Sequence, residues 1–272
     1  MLDLLRVAII SAIEAGEIIM KIYNSDFVVN IKEDTSPVTE ADKLADNYIT
    51  QKLSIFKIPI ISEEGKIESY QERKKWKTFW LVDPLDGTKE FVHKNGEFTV
   101  NIALIENEVP ILGVVFIPVT KMLYFASNET GAKKYHIDST NLSVDQIILA
   151  ATLLVDQPCD EKIKIGVSRS HLDDYTKQLI ERCKTLFKEV EVYVAGSSVK
   201  FCFLADNSIH LYGRGNYTNE WDTAAGDAII RFAGKSIVTD EGKPFVYNKP
   251  DLRNTGFIAG NSLLLKTICD GK

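Results

Sequence analysis

Two aspartates stand three residues apart at the end of an apolar segment, Trp80-Leu81-Val82-Asp83-Pro84-Leu85-Asp86-Gly87-Thr88. The proline fixes a turn, so the carboxylates of Asp83 and Asp86 can converge on one point, and Gly87 lets the backbone approach a ligand closely. If Gly87 and Thr88 open a helix, their amides offer donors to a phosphate. Hard oxygen ligands beside a phosphate suit Mg²⁺. The same residues are ordinary in a surface turn, and the segment alone leaves both interpretations open.

Two further carboxylates, Glu63 and Asp222, favour the metal interpretation. Glu63 follows the apolar run Ile60-Ile61-Ser62, and Asp222 precedes a helix rich in small residues. Asp42 stands three residues after Thr39, as in a capping box. Taken singly, Glu63 reads as a loop glutamate and the two aspartates as residues of a helix start. Taken with Asp83 and Asp86, Glu63 and Asp222 indicate a carboxylate cluster able to hold metal ions.

The elements that must position these residues change in character along the chain. Apolar spacing predicts helices over residues 2–23 and 39–56, and short strands over 59–62 and 78–82, the latter delivering Asp83 to its end. Residues 98–105, 111–117 and 122–125 predict an antiparallel meander. Beyond about residue 140, strands predicted over 163–167, 190–194 and 209–212 alternate with helices over 173–186, 197–205 and 221–233. This alternation favours an α/β half.

The predicted organisation has two lobes. An N-terminal α+β lobe, residues 1–140, would carry the antiparallel sheet and most metal ligands. A C-terminal α/β lobe, residues 141–272, would carry the recognition loops and Asp222. The polar stretch 133–145 is the weak boundary between them.

Composition excludes several classes of protein. The chain has 272 residues and a net charge of −6, so a nucleic acid polymer is a poor partner. It has no uninterrupted apolar run long enough to span a bilayer, and its charged N-terminus does not read as a signal peptide. The widely spaced cysteines, Cys159, Cys183, Cys202 and Cys269, match neither a zinc pattern nor a disulfide framework. We therefore expect reduced thiols in a cytoplasmic protein.

Four motifs occur in order along nearly the whole chain. They are Asp34-x-Ser36-Pro37-Val38-Thr39-x-Ala41-Asp42, Ser62-Glu63-Glu64, Trp80 to Thr88, and Trp221 to Gly226. Together they resemble the inositol monophosphatase superfamily of lithium-sensitive, Mg²⁺-dependent phosphatases. The resemblance implies the layered α-β-α-β-α sandwich of that fold, of mixed α+β and α/β character.

Additional segments resemble one branch of this superfamily. They are Asp86 to Phe91, Asn95 to Leu104, Ser168-Arg169-Ser170-His171, and Gly196-Ser197-Ser198-x-Lys200-Phe201-Cys202. They look like the CysQ type of 3'(2'),5'-bisphosphate nucleotidase. Inositol monophosphatases typically have Thr-Asn where Lys89-Glu90 stand here.

The resemblance implies roles for the carboxylates. Glu63, Asp83 and the Leu85 carbonyl would bind one Mg²⁺, and Asp83, Asp86 and Asp222 a second. Asp42 would act through water or through a third, weaker metal. Glu63 and Thr88 would position and deprotonate the attacking water.

The resemblance also implies a substrate, 3'-phosphoadenosine 5'-phosphate or its sulfated form, cleaved to AMP or adenosine phosphosulfate and phosphate. This activity would link the chain to sulfur assimilation and nucleotide recycling. The scissile phosphate would lie on the Leu85–Thr88 backbone, beside Glu63 and Asp222. Candidates for the rest of the nucleotide are His171, Gly196, Ser197, Ser198, Lys200 and Arg214.

Alternatives remain at this point. An inositol phosphatase could use the same scaffold, and a silent nucleotide-binding protein belongs to a different class. The active unit is expected to be a monomer or homodimer. Peripheral attachment to the cytoplasmic face of the inner membrane stays open.

Overall fold

The computed structural model describes residues 1–31, 37–138, 143–159, 161–169 and 172–269. The helices are α1 (Leu2–Tyr23), α2 (Glu40–Leu53), α3 (Tyr70–Arg73), α4 (Thr88–Val92), α5 (Val144–Ala150), α6 (Asp174–Leu186), α7 (Val199–Ala205), α8 (Glu220–Phe232) and α9 (Ser262–Cys269). The strands are β1 (Val29–Ile31), β2 (Pro37–Thr39), β3 (Ile60–Ser62), β4 (Thr78–Asp86), β5 (Thr99–Glu106), β6 (Val109–Ile117), β7 (Met122–Ser127), β8 (Gly131–His136), β9 (Thr152–Leu154), β10 (Lys162–Ser168), β11 (Glu189–Ala195), β12 (Leu211–Arg214), β13 (Thr218–Asn219), β14 (Ser236–Thr239), β15 (Arg253–Asn254) and β16 (Phe257–Gly260).

The first two layers are a helix pair and a seven-stranded sheet. Helix α1 buries Leu5, Ile9, Ala12 and Ile19 on one face, as its helical spacing predicts. This face packs with α2 against the sheet, whose strand order is β3-β4-β5-β6-β7-β8-β9. Strands β3 and β4 are parallel and the following pairs are antiparallel. The predicted meander is confirmed, and β8 and β9 extend it.

Helices α7 and α8 form the middle layer, packed between two sheets. The small residues of α8 allow a close approach. A Cβ built on Gly113 of β6 would lie 2.4 Å from the carbonyl oxygen of Ala225 and 2.7 Å from Cβ of Ala228. The backbones of α8 and β6 are therefore nearly in contact.

The last two layers are a five-stranded sheet, ordered β11-β10-β12-β16-β14, and the helices α6 and α9. Strand β10 runs parallel to β11 and β12, whereas β16 is antiparallel to β12 and β14. The α-β-α-β-α sandwich is thus confirmed.

One strand end differs from the prediction. Strand β4 does not end at Asp83 but continues to Asp86, because Asp83 pairs with Asn101 and Asp86 with Thr99 across a bulge. Residues 133–136, part of the predicted boundary stretch, belong to β8, and β9 lies in the same sheet. The division into two lobes stays a prediction. Within the described residues no helix is long and apolar enough to cross a membrane, and Cys159, Cys183 and Cys202 are free thiols.

Candidate active site

Three of the predicted carboxylates meet at one point. Glu63, Asp83 and Asp222 each offer an oxygen, and these oxygens all lie within 4.8 Å of one another. The amide of Glu63 donates to the carbonyl of Val82 (3.1 Å), which holds the end of β3 beside β4. Asp222 comes from the first turn of α8, in the opposite half of the chain. The cluster therefore depends on the packing of α8 against the seven-stranded sheet.

A bulge in β4 shapes the turn that carries the aspartates. The register of β4 and β5 shifts between Asp83 and Asp86. Inside the bulge, the amide of Leu85 donates to Oδ1 of Asp83 (3.1 Å). The Leu85 side chain is buried in the core under α1 and α2, so only its backbone is available to the site.

Asp86 lies outside the group of three but close to it. Its Oδ2 accepts hydrogen bonds from the Ser198 amide (2.6 Å) and hydroxyl (2.7 Å) and from the Asn101 side-chain amide (3.3 Å). The negative charge of Asp86 raises the pKa of both Asp83 and Asp222. The four carboxylates therefore form one electrostatic unit.

Burial makes this unit costly without a cation. Burial raises the pKa of Asp83 well above its ordinary value, and the charges of Glu63, Asp86 and Asp222 raise it further. Burial, Asp86 and Glu63 likewise raise the pKa of Asp222. A cation relieves both the repulsion and the lost solvation. Because the ligands offered are carboxylate oxygens, the group fits a hard divalent ion such as Mg²⁺.

A fifth carboxylate, that of Asp42, is hydrogen-bonded to Thr88 in the turn after β4. The Thr88 hydroxyl donates to Oδ1 of Asp42 (3.0 Å), and Oδ2 of Asp42 accepts from the amide and hydroxyl of Thr39 (both 2.7 Å). The predicted capping box at Thr39 is confirmed. Asp42 thus caps the N-terminus of α2 and also accepts the hydrogen bond from Thr88.

Gly87 precedes α4 in the left-handed region, with φ +92°. A Cβ at this position would lie 3.1 Å from Cβ of Ser197 and 3.2 Å from the carbonyl oxygen of Glu97. Glycine is required here for its conformation and because the loop Gly196–Ser198 approaches so closely. This approach brings the predicted phosphate turn and the predicted nucleotide loop together.

The loop Gly196–Ser198 is fixed by two charged groups. Glu97 accepts from the Gly196 amide (2.7 Å), and its two carboxylate oxygens accept from Nε and Nη2 on one edge of the Arg169 guanidinium (2.7 and 2.6 Å). Because this ion pair is partly exposed, it contributes only about 0–1 kcal/mol to stability, and its main effect is geometric. Glu97 and Arg169 both stand in the motifs described above but were not predicted to have a role, because they stand 72 residues apart along the chain.

Lys200 is not a solvated lysine that reaches outward. It is 1% exposed, and its ammonium donates to the carbonyls of Ala195 (2.9 Å) and Ser197 (2.6 Å). Burial lowers the pKa of Lys200 to about 8, against the opposing effect of Asp86. Lys200 thus stabilises the loop Gly196–Ser198 through its backbone carbonyls. A direct contact between Lys200 and the substrate stays a prediction.

The other predicted nucleotide contacts are placed unevenly. Arg214, at the end of β12, is half-buried. Burial raises the pKa of Asp222 and lowers that of Lys200; the charge of Arg214 partly offsets the first shift and adds to the second. Its buried Nε has no hydrogen-bond partner within the described residues. His171 lies outside the described residues, as does the Asp34 to Ser36 part of the first motif.

The chain is similar to known proteins along nearly its whole length. A model described as the inositol monophosphatase family matches residues 1–270. The chain is 41% identical to "3'(2'),5'-bisphosphate nucleotidase CysQ" of Buchnera aphidicola subsp. Acyrthosiphon pisum, over 90% of this chain and 89% of the relative. It is 38% identical to the protein of that name from Escherichia coli K12, over 89% and 94%.

Solved structures show the same fold. The crystal structure of CysQ from Bacteroides thetaiotaomicron matches with a TM-score of 0.85 and 41% identity, covering 94% of this chain and 96% of that one. An inositol monophosphatase from Thermotoga maritima matches with a TM-score of 0.73 at 22% identity, covering 96% and 93%. At 22% identity, the match to the Thermotoga maritima protein shows similarity of fold and nothing more.

Proposed function

The chain belongs to the inositol monophosphatase family, and we propose that it is a metal-dependent 3'(2'),5'-bisphosphate nucleotidase. The observation that carries this proposal is the partly buried cluster of Glu63, Asp83 and Asp222 beside the Gly87–Thr88 turn. The similarity to CysQ proteins at 38–41% identity supports the choice of substrate. A silent nucleotide-binding protein would have no need of such a costly group of buried acids.

We propose Mg²⁺ as the metal, in two sites. Glu63, Asp83 and the Leu85 carbonyl would hold one ion, and Asp83, Asp86 and Asp222 the other. When bound, the ions would lower the pKa of water and offset the negative charge of the phosphate. A third ion near Asp42 is the weaker alternative.

The chain's own groups would position the reactants. Because the Thr88 hydroxyl donates its proton to Asp42, its oxygen can accept a hydrogen bond from the attacking water. The proton of that water would pass to Glu63, or through Thr88 to Asp42. The backbone amides of Gly87 and Thr88 would donate to the scissile phosphate as its charge builds. Positioning and electrostatics are expected to supply most of the acceleration.

The proposed substrate is 3'-phosphoadenosine 5'-phosphate, with the sulfated nucleotide as a second substrate, and this activity would serve sulfur assimilation. The loop Gly196–Ser198 lies against the phosphate turn, where it can contact the parts of the nucleotide beyond the scissile phosphate. Arg214 and His171 are further candidates. A cytoplasmic location and a monomeric or dimeric state stay predictions.

Phosphate release from a panel of metabolites tests the proposal. We expect Mg²⁺-dependent release from 3'-phosphoadenosine 5'-phosphate, abolished by EDTA and restored by added Mg²⁺. Inositol 1-phosphate and AMP serve as matched monophosphates, and both should turn over more slowly. Faster turnover of inositol 1-phosphate would replace the proposed substrate, and release that is insensitive to EDTA would remove the metal from the proposal.

A further inference from the structure

Ser198 uses all of its polar groups on other protein atoms. It is 2% exposed, and its amide donates to Oδ2 of Asp86 (2.6 Å). Its hydroxyl lies within hydrogen-bond distance of Oδ2 of Asp86 (2.7 Å) and of the carbonyl of Asp222 (2.8 Å), and it accepts from the Asn101 amide (3.0 Å). A hydroxyl has one proton and two lone pairs. Little capacity remains for a substrate phosphate.

These bonds determine which oxygen of Asp86 is available. Oδ2 accepts from the amide and hydroxyl of Ser198 and, at 3.3 Å, from Asn101. Oδ1 is therefore the oxygen left to face a cation. Hydrogen bonds to ligating carboxylates orient them and tune metal affinity. The Asp222 carbonyl in α8 is also 2.8 Å from this hydroxyl, so Ser198 lies between Asp86 and the first turn of α8.

The loop holds Ser198 in place without help from a ligand. Ser197 adopts a left-handed conformation, with φ +40°, and its carbonyl accepts from the buried Lys200 ammonium. Gly196 has no room for a side chain, since a Cβ would lie 2.6 Å from Cγ of Glu90 and 3.0 Å from the carbonyl oxygen of Glu97. The two donors of Ser198 are thus preorganised around Asp86.

We propose that Ser198 is a positioning residue for the metal ligand Asp86, and that it does not bind substrate directly. This inference rests on the proposed function only in taking Asp86 as a metal ligand. The loop then has two roles: Ser198 orients the metal ligand, and the neighbouring Ser197 remains the candidate for substrate contact.

Ser197 supplies a matched control in the same loop. Its hydroxyl is buried and has no hydrogen-bond partner within the part of the chain that the structure describes. Ser197→Ala therefore removes the same atom as Ser198→Ala, from the adjacent residue, without taking a donor from Asp86. Ser198→Thr keeps a hydroxyl at the tested position.

The test is a titration with Mn²⁺ in the absence of nucleotide, with the free ion measured by electron paramagnetic resonance. We expect Ser198→Ala to weaken Mn²⁺ binding about 10- to 100-fold, the usual effect of removing a partner of a metal ligand. Ser198→Thr should recover most of the affinity, and Ser197→Ala should remain within about twofold of the wild type, since no ligand loses a partner. Unchanged affinity in folded Ser198→Ala, or an equal loss in Ser197→Ala, overturns the proposal.

Circular dichroism establishes that each variant is folded. If Ser198→Ala does not fold, Ser198→Gly takes its place, because it also removes the hydroxyl from Oδ2 of Asp86; unchanged Mn²⁺ affinity in that variant would then contradict the proposal. Turnover separates the two roles in the loop. High Mg²⁺ should restore kcat in Ser198→Ala, whereas Ser197→Ala should raise KM for the nucleotide with little dependence on Mg²⁺. Phosphate release fixes the substrate independently of the Mn²⁺ titration, so failure of the proposed substrate leaves this inference testable.

Discussion

At the scale of single residues, the site is a balance of buried negative charges. Asp83 lies at its centre, since Glu63, Asp86 and Asp222 all raise its pKa. Motifs predicted these four acids, because each follows a recognisable strand end or helix start. Asn101, Glu97 and Arg169 were not predicted as site residues, because their contacts join distant parts of the chain. Residues that orient the ligands of a site are therefore harder to identify from sequence than the ligands themselves.

The raised pKa values of Asp83 and Asp222 predict a pH-dependent response to metal. A carboxyl with a raised pKa in the folded state favours folding at low pH, and this contribution is lost as pH rises through that pKa. Mg²⁺ competes with protons for the same oxygens, so its affinity rises with pH. The increase in Tm on adding Mg²⁺ should therefore grow between about pH 5 and pH 8, as measured by thermal unfolding.

Asp83→Asn is the control for this experiment, because it removes the charge that the other acids repel. The Mg²⁺-induced shift in Tm should become small and nearly independent of pH in this variant. A shift of constant size across the range in the wild type would contradict the proposed linkage between the acids and the metal.

At the scale of elements, the contact of α8 with β6 sets the position of Asp222. Apolar periodicity predicted both elements, but it could not predict how closely they approach. The reason is that a glycine in a strand pattern signals a close contact without naming the partner. The extension of β4 to Asp86 was also not predicted. A proline usually indicates that a strand ends, but here a bulge accommodates Pro84 and the strand continues.

Gly113→Ala tests this contact. The added methyl group would lie 2.4 Å from the carbonyl oxygen of Ala225, so α8 or β6 must shift. Overpacking of this kind costs about 1–3 kcal/mol. We expect a lower denaturation midpoint in urea and, since α8 carries Asp222, weaker binding of Mn²⁺.

Gly65→Ala is the matched control, because its methyl group would meet only ordinary contacts at 3.5 Å with Ser62. This variant should unfold at nearly the same urea concentration as the wild type. Equal stability of Gly113→Ala and Gly65→Ala would mean that the α8–β6 contact is more adaptable than its geometry indicates.

At the scale of the molecule, α8 packs against strands of both large sheets. The sequence predicted strands, helices and, by resemblance, the order of the layers, and the structure confirms this order. The packing of a C-terminal helix on the N-terminal sheet, here called the interleaving of the two halves, could not be predicted from local patterns. Periodicity shows that a face is buried but not which surface covers it. The covering helix for the N-terminal sheet comes from the C-terminal half of the chain.

This interleaving predicts a single cooperative unfolding transition. Trp76 and Trp80 report on the first half of the chain, and Trp221 reports on the second. In urea, the fluorescence midpoint of Trp221→Phe should coincide with its far-ultraviolet circular dichroism midpoint. The double variant Trp76→Phe, Trp80→Phe should behave in the same way. Separate midpoints within one variant would show that the two halves unfold independently.

The late position of α8 also matters while the protein is being made. All seven strands of the sheet have been translated once Leu154 is added, but the helix that covers one face of the sheet ends at Phe232. At about 5–20 residues per second, the ribosome leaves that apolar face uncovered for several seconds. The nascent chain therefore passes through a stage at which a chaperone can bind this apolar face. Any message truncated between these two points would yield a product that remains at that stage and aggregates.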